Sequence, residues 1–303
     1  MMALPSSSLL GFLFAAAAAA CAARAQNATW GTEDSAIMEQ LRASVKWLPG
    51  VQPDPVNASS GPCNWTSDLV TCDEEGRVYT ITLGNIDISG GTVPPTNQND
   101  LPNLGYFDVP HCNLEGVIPN FTGSPQLHSL VVGENGFSSI APGLFDSKTE
   151  LQFVEMDDND RLEPWQLPEG LKSSSKLSSF SAAGCNIQGP LPPFFNVSLV
   201  GLYLSNNNLS GDISALQNLT GLQQIELQHN QLSGKIPDLS SLKWLEYLYL
   251  NNNNLTGPIP ESLTTLPYLV KLDLSNNQLA GPLPAFPSGV TVVICGNPGF
   301  DPC

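Results

Sequence analysis

The apolar residues of this chain recur with one spacing along most of its length. The clearest copy, LVGLYLSNNNLSGDI, begins at Leu199 and ends at Ile213, and it can be written L-x-x-L-x-L-x-x-N-x-L-x-G-x-I. The same spacing, strict or looser, begins at eight other residues: Val78, Leu104, Leu127, Leu151, Leu177, Leu222, Leu245 and Leu269. Successive copies start 22 to 26 residues apart, a period that is typical of stacked repeats.

The spacing within one copy predicts its local structure. The L-x-L core predicts a short strand whose leucines point inward and whose x residues point outward. The Asn at the ninth position has an acceptor and two donors for backbone groups of neighbouring coils. A single coil cannot bury its leucines, so stability must come from stacking. The sequence therefore predicts an α/β-type leucine-rich-repeat solenoid, with nine repeats over residues 78–289 and a curved parallel sheet on its concave face.

The first 25 residues have the pattern of a secretory signal peptide. An apolar run from Leu9 to Ala20 precedes Ala23-Arg24-Ala25, which is an A-x-A cleavage pattern. A membrane-spanning helix needs about 20 apolar residues, and this run is shorter. We therefore expect residues 1–25 to be removed and the remaining chain to be exported.

Residues 26–77 are expected to form an N-terminal cap over the open end of the leucine core. An amphipathic helix is predicted from Thr32 to Leu48, with Thr32 or Asp34 as its N-cap. The segment that follows contains two cysteines just ahead of the first repeat. Residues 290–303 are expected to form the corresponding C-terminal cap.

The six cysteines after residue 25 fall into two groups. Cys112 and Cys185 occupy the position of the repeat Asn, three coils apart, which places them about 14 Å from one another at about 4.8 Å per strand. A disulfide tolerates at most about 7 Å between Cα atoms, so we expect these two residues to be buried thiols. That leaves one disulfide in each cap: Cys63 with Cys72, and Cys295 with Cys303.

Charge and sequons narrow the classes of partner. Eleven Lys and Arg against 28 Asp and Glu give a net charge of −17, which argues against nucleic acid and anionic lipid surfaces. Eight N-x-[ST] sequons support export: Asn27, Asn57, Asn64, Asn120, Asn196, Asn208, Asn218 and Asn254. None falls at an outward position of a predicted concave strand, so we expect glycans to leave that face free.

The outward positions of the predicted strands are rich in aromatic and acidic residues. Such a mixture favours protein recognition, because aromatics supply contact area at low entropy cost. The alternative is that single exposed aromatics need no explanation. The candidate partner-binding residues are Tyr106, His111, Phe153, Glu155, Asp157, Asp158, Tyr203, Glu226, His229, Tyr247 and Tyr249.

All three histidines, His111, His128 and His229, also fall at outward positions. Because histidine titrates near pH 6.5, one hypothesis is that partner binding changes between pH 5 and 7. The alternative is that they are ordinary solvated polar residues.

One repeat, Leu151 to Pro168, departs from the pattern and reads LQFVEMDDNDRLEPWQLP. Its carboxylates invite comparison with a calcium site, but the spacing lacks the Gly and final Glu of an EF-hand loop. The sequence favours a solvated acidic turn formed by Asp157, Asp158 and Asp160, and no metal or cofactor is predicted.

This irregular repeat resembles an N-P-F-x-x-W-x-I-P coil, followed by F-S-A-N, in plant leucine-rich-repeat receptor kinases of the transmembrane-kinase (TMK) group. The matching positions are Asn159, Trp165, Pro168, Phe180, Ser181 and Ala182, with Asp160-Arg161 in place of the N-P. The cap segment is similar to that of plant extracellular leucine-rich-repeat proteins. The resemblance implies a receptor ectodomain in auxin-related growth signalling. It also implies a place in the apoplast or at the extracellular face of the plasma membrane, with an auxin-binding protein or receptor kinase as partner.

No chemistry is predicted for this chain. It lacks a glycine-rich phosphate loop and the H-R-D and D-F-G motifs of kinases. The expected function is therefore non-catalytic recognition of a protein, peptide or hormone-receptor partner. The alternative is a secreted inhibitor of a pathogen cell-wall-degrading enzyme, similar to plant polygalacturonase-inhibiting proteins.

Overall fold

The computed structural model describes residues 34, 36–38, 40, 69–86, 88–193 and 198–300. The expected signal peptide, most of the cap helix, Cys63, Cys303 and four of the sequons (Asn27, Asn57, Asn64 and Asn196) lie outside these residues. Asp34, offered by the sequence as an N-cap, is itself helical. Its carboxylate accepts a hydrogen bond of 2.9 Å from the Val78 backbone N–H, which ties the cap segment to the first repeat.

The main sheet has eleven strands, of which β1 pairs antiparallel with β2 and the others pair in parallel. In spatial order they are β1 (Val70–Cys72), β2 (Val78–Thr82), β3 (Tyr106–Asp108), β5 (Ser129–Val131), β7 (Phe153–Glu155), β8 (Ser179–Ser181), β10 (Gly201–Tyr203), β12 (Gln224–Glu226), β14 (Tyr247–Tyr249), β16 (Lys271–Asp273) and β18 (Thr291–Val293). The central residues Leu202, Ile225 and Leu248 are fully buried. The predicted parallel sheet is confirmed, and the segment after residue 289 adds one further strand.

The second extended segment of most coils also pairs with its neighbours. One group forms a five-stranded sheet: β9 (Gln188–Gly189), β11 (Asn208–Gly211), β13 (Gln231–Lys235), β15 (Asn254–Gly257) and β17 (Gln278–Leu279). Another group forms a two-stranded sheet from β4 (Glu115–Ile118) and β6 (Gly136–Ile140). Three described coils return through 3₁₀ helices: Glu169–Ser173, Ser214–Asn218 and Glu261–Thr265. No helix among the described residues is long and apolar enough to cross a membrane.

The asparagine ladder forms as the sequence predicts. Asn207 is buried, and its Nδ2 donates to the Ala182 carbonyl of the preceding coil at 2.8 Å and to Leu204 at 3.1 Å. Its Oδ1 accepts hydrogen bonds from the backbone N–H groups of Cys185 and Ile187. These groups would otherwise be buried without partners, so the ladder satisfies the backbone where each strand ends.

The two ladder cysteines are buried free thiols, as predicted. Cys112 Sγ donates to the Leu83 carbonyl at 2.9 Å, and Cys185 Sγ donates to Met156 at the same distance. Each thiol replaces one of the carbonyl contacts that an asparagine would make. Burial raises the pKa of the Cys185 thiol to about 12, which leaves it protonated and unreactive.

The cysteines of the caps are only partly described. Cys72 and Cys295 are each disulfide-bonded. The residues expected as their partners lie outside the described range, so the pairing within each cap stays a prediction.

The irregular repeat keeps the main sheet and interrupts the second one. Asn159 is buried in the ladder, and its Nδ2 donates to Val132 and Met156. Trp165 Nε1 donates to the Cys185 carbonyl at 2.8 Å, and its backbone makes a single bridge to Ile187. Trp165 therefore holds the coil in place where a strand between β6 and β9 would otherwise lie.

Candidate binding surface

In the three-residue main-sheet strands from β3 to β16, the first and third residues lie on the concave side, because the middle residue enters the core. Seven of the predicted partner-binding residues occupy these positions: Tyr106, Phe153, Glu155, Tyr203, Glu226, Tyr247 and Tyr249. Asp157 follows β7 by two residues. His111, Asp158 and His229 lie in the turns after the strands, with φ angles of 54°, 54° and 57°.

The structure brings six concave residues together across β3, β5 and β7, and we call them the N-terminal slot. One row is formed by Tyr106, Ser129 and Phe153, and the next row by Asp108, Val131 and Glu155. Ser129 is a small residue between the rings of Tyr106 and Phe153, and Val131 is an apolar residue between the carboxyl groups of Asp108 and Glu155. Ser129 is 1% and Val131 5% exposed, although both are on the concave side. Neighbouring side chains therefore cover both residues.

The carboxylates of the slot are electrostatically unusual. Burial raises the pKa of Asp108 to about 6. Burial also raises the pKa of Glu155 to about 7, with further contributions from the negative charges of Asp157, Asp108 and Glu134. In both cases the ionised form is penalised because it is removed from water without a cation beside it.

The interpretation of a solvated acidic turn is wrong for Asp157 and correct for the two exposed residues Asp158 and Asp160. Asp157 is half-buried and accepts hydrogen bonds from the Ser181 hydroxyl at 2.7 Å and from the Ala183 N–H at 2.8 Å. Burial nevertheless raises its pKa. No group of three or more His, Cys, Asp or Glu residues in the described part of the chain could hold a metal ion.

A second cluster, the tyrosine cluster, consists of Tyr203, Tyr247 and Tyr249. The rings of Tyr247 and Tyr249 are stacked, with centroids 6.4 Å apart, and Lys271 Nζ lies 5.0 Å from the Tyr249 centroid. The Tyr203 ring lies over Gly201, where an added Cβ would be 2.6 Å from Tyr203 Cε2. The glycine thus makes room for the ring to lie flat against the sheet.

Glu226 lies within the tyrosine cluster, on β12 between Tyr203 and Tyr249, and is held by neighbouring amides. Gln224 Nε2 donates to it at 2.7 Å and Gln228 Nε2 at 3.3 Å. Gln224 also accepts a long hydrogen bond of 3.4 Å from the Tyr203 hydroxyl. This network fixes the orientation of the carboxylate, so it presents a preorganised acceptor to a partner.

The three histidines do not form one surface. His111 and His229 follow the carboxyl ends of β3 and β12, whereas His128 precedes the amino end of β5. His111 Nδ1 lies 2.8 Å from Glu134 Oε2, and His128 stacks on Tyr106 with centroids 5.7 Å apart. His111 and His128 lie beside the N-terminal slot and His229 does not, and the hypothesis that partner binding changes between pH 5 and 7 stays a prediction.

The described sequons all lie away from the main sheet. Asn208 and Asn254 begin strands of the second sheet, and Asn218 ends a 3₁₀ helix; all three are exposed. Asn120 is half-buried, and its amide donates to Pro142 and accepts from Thr122. The placement agrees with a glycan-free concave face, while occupancy of the sequons stays a prediction.

Sequence reasoning missed several residues of this surface. It placed Asp108 and Val131 in the outward column without treating them as binding residues, and it gave no role to Ser129 or Lys271. A small residue flanked by two aromatics in register was the available signal for the slot. Its burial could not be foreseen, because it depends on how the flanking side chains lean.

The leucine-rich-repeat family matches residues 197–241, 220–267 and 268–289. With the stacked coils and the ladder described above, this shows a leucine-rich-repeat solenoid fold. In sequence the chain is similar to plant receptor-like kinases of the TMK group. It is 34% identical over 181 residues to the receptor-like kinase TMK2 of Arabidopsis thaliana, covering 58% of this chain and 20% of that protein.

Solved structures of plant receptor ectodomains share the fold. The ectodomain of GASSHO1/SCHENGEN3 from Arabidopsis thaliana, in complex with CASPARIAN STRIP INTEGRITY FACTOR 2, matches with a TM-score of 0.74 and 30% identity, over 83% of this chain and 30% of that one. The plant peptide hormone receptor RGFR1 in complex with RGF2 matches with a TM-score of 0.63 and 26% identity, over 71% and 35%.

The chain spans about a fifth of the length of the curated relatives that it matches. The matching families are repeat families, and neither is a kinase domain. The kinase activity of these relatives is therefore not carried over to this chain.

Proposed function

We propose that this protein is a non-catalytic extracellular recognition module that binds a peptide or protein partner on its concave face. The observation that carries this proposal is the presence of the N-terminal slot and the tyrosine cluster on one continuous sheet. Between them they offer aromatic contact area, uncompensated carboxylates and a preorganised acceptor, which are features of a binding surface. Two of the solved structures that share the fold are plant receptors in complex with CASPARIAN STRIP INTEGRITY FACTOR 2 and with RGF2.

The similarity to the TMK group supports a finer proposal. The chain would act in the apoplast or at the extracellular face of the plasma membrane, in auxin-related growth signalling. Its partner would be a peptide, an auxin-binding protein or the ectodomain of a receptor kinase. Signalling across a membrane would then depend on that partner or on a segment beyond the aligned repeats.

The test is capture from apoplastic fluid by the immobilised secreted chain, with bound proteins and peptides quantified by mass spectrometry. The variant Tyr247→Ala/Tyr249→Ala removes concave aromatic area. Tyr268→Ala is the matched control, because Tyr268 is 51% exposed and precedes its strand instead of lying on it.

We expect the double variant to lose the captured partner by at least tenfold and the control to retain it. Equal capture by the parent and the double variant would contradict recognition through the concave face. Capture and inhibition of a polygalacturonase would instead favour the alternative function of enzyme inhibition.

A further inference from the structure

The N-terminal slot is bounded by two strands, with the covered residues of β5 between them. β3 supplies Tyr106 and Asp108 to one wall, and β7 supplies Phe153 and Glu155 to the other. The walls are two strand spacings apart, about 9.6 Å between the strand axes. β5 supplies only Ser129 and Val131 between them. Each wall thus carries an aromatic ring beside a carboxylate.

The negative charge of the slot is not neutralised by the protein. The charges that act on Glu155 come from Asp157, Asp108 and Glu134, all of which are acidic. Among the described residues, the Lys and Arg ion pairs lie elsewhere: Arg161 with Glu115, Lys172 with Glu169, and Lys176 with Glu150. A cation entering the slot would therefore meet carboxylates without a competing internal partner.

A second observation, independent of the carboxylates, also points to a ligand. The Ser129 hydroxyl is buried and makes no hydrogen bond in the structure. Buried hydroxyls are nearly always paired, and leaving one unpaired costs free energy. Because Ser129 alternates with the inward-facing Leu130, its Oγ is directed to the concave side. Side chains of the flanking strands cover it, so it would accept a hydrogen bond from a donor whose entry moves these side chains apart.

We propose that the N-terminal slot binds an arginine side chain of the peptide or protein partner, with its guanidinium between Tyr106 and Phe153 and against Asp108 and Glu155. A guanidinium is planar, stacks on aromatic faces and presents several N–H donors to carboxylates, whereas an ammonium lacks the planar fork. Ser129 Oγ would accept one further N–H. This assignment rests on the proposed recognition function and specifies what the concave face recognises.

Binding of an arginine in the slot has a defined pH dependence. The groups that face the slot are Asp108 and Tyr106 from β3, His128 before β5, Glu134 with its partner His111 after the neighbouring strands, and Glu155 and Asp157 from β7 and its turn. The pKa of Asp108 is raised to about 6 and that of Glu155 to about 7. Both carboxyls are therefore ionised above pH 7 and largely protonated at pH 5. We expect affinity for the arginine to fall as the pH is lowered from 7.5 to 5.

The test begins by panning a random dodecapeptide library against the secreted chain at pH 7.5. An enriched peptide is then measured by calorimetry against the parent, Asp108→Asn and Glu155→Gln. Asp273→Asn is the matched control, because Asp273 occupies the same column on β16 outside the slot. The same peptide is also synthesised with each arginine replaced by citrulline, which keeps the shape and removes the charge, and by lysine.

The expected result is that one arginine dominates the enriched peptides. Its replacement by citrulline weakens binding to the parent about tenfold or more, a change of about 1.4 kcal/mol. Asp108→Asn and Glu155→Gln each weaken binding of the arginine peptide by a similar factor, whereas Asp273→Asn has little effect. The citrulline peptide binds the parent and the two slot variants with the same affinity. Lysine restores only part of the affinity.

Two results would overturn the assignment. If peptides bind and are lost on Tyr247→Ala/Tyr249→Ala but are indifferent to both slot variants, the concave face recognises partners without the slot. If the bound peptides are insensitive to slot and tyrosine variants alike, or no peptide is enriched, the assignment fails together with peptide recognition by the concave face. Circular dichroism of each variant confirms that it is folded.

Discussion

The ladder asparagine Asn253 allows a stability prediction to be worked out bond by bond. Its side chain is 6% exposed. Its Oδ1 accepts from the Leu232 N–H at 2.9 Å, and its Nδ2 donates to the Leu227 and Leu250 carbonyls at 2.9 and 3.1 Å. The change Asn253→Ala removes these three hydrogen bonds, together with a weak fourth one of 3.4 Å to the Asn251 carbonyl, and leaves a small gap where two coils meet.

The lost bonds are not equivalent. The Leu227 carbonyl keeps a second donor from Asn230, and the Leu250 carbonyl keeps one from Asn277. Only the Leu232 N–H is left buried without a partner, at a cost of about 1–3 kcal/mol. The two carbonyls each lose one of two donors, which we take as about 0.5 kcal/mol each. The expected loss in free energy of unfolding is about 2–4 kcal/mol.

The assay is urea unfolding followed by circular dichroism, with Asn251→Ala as the control. Asn251 lies two residues away in the same turn and is half-buried, so truncating it should change the free energy of unfolding by no more than about 0.5 kcal/mol. The reasoning would be refuted if Asn253→Ala cost no more than Asn251→Ala at an unchanged dependence on denaturant.

Three further changes test other parts of the structure. The raised pKa of Glu155, about 7 against an ordinary 4.5, means that the folded state holds a proton that the unfolded state has lost, so stability should fall as pH rises between these values. At about 1.4 kcal/mol per pKa unit, Glu155→Gln should be up to about 3 kcal/mol more stable than the parent at pH 7.5 and equal to it below pH 4.5 in urea unfolding. Burial lowers the pKa of Lys148 to about 8 from an ordinary 10.5, so between these values the unfolded state holds a proton that the folded state has lost. The free energy of unfolding of the parent should therefore increase as pH rises from 8 to 10.5. The same increase in a Lys148→Met variant would contradict this. Gly201→Ala should push the Tyr203 ring away from the sheet, because the added Cβ would clash with it. We expect partner binding to weaken several-fold and the free energy of unfolding to fall by about 1 kcal/mol. Unchanged affinity for the captured partner would show that the position of the ring does not matter for binding.

The repeats, the concave sheet and the ladder could be predicted because each depends on local spacing. Period-two leucines define which side of a strand is buried, and the ninth residue of each repeat falls where the backbone needs partners. Cys112 and Cys185 could be placed by the same register, since a residue at that position is buried whatever its type. The general location of the binding surface followed from these facts alone.

Features that depend on contacts between coils could not be predicted. The second sheet arises from pairing between segments of different repeats, and Trp165 interrupts it through a hydrogen bond to the next coil. The burial of Ser129 and the raised pKa of Glu155 depend on side chains from neighbouring strands. The histidines share an outward position in the pattern, but the pattern does not distinguish the two ends of a three-residue strand.

The interruption of the second sheet at the Trp165 coil divides the solenoid into two blocks of unequal size. At this interruption the coils are joined by continuous strand pairing in the main sheet, and on the opposite side by the bridge between Trp165 and Ile187. A small twist of one block relative to the other should therefore be easiest there. The N-terminal slot includes Phe153 and Glu155 of the Trp165 coil itself, whereas the tyrosine cluster lies in the coils that follow. An extended ligand that contacted both would restrict this twist, so its binding should make the solenoid stiffer.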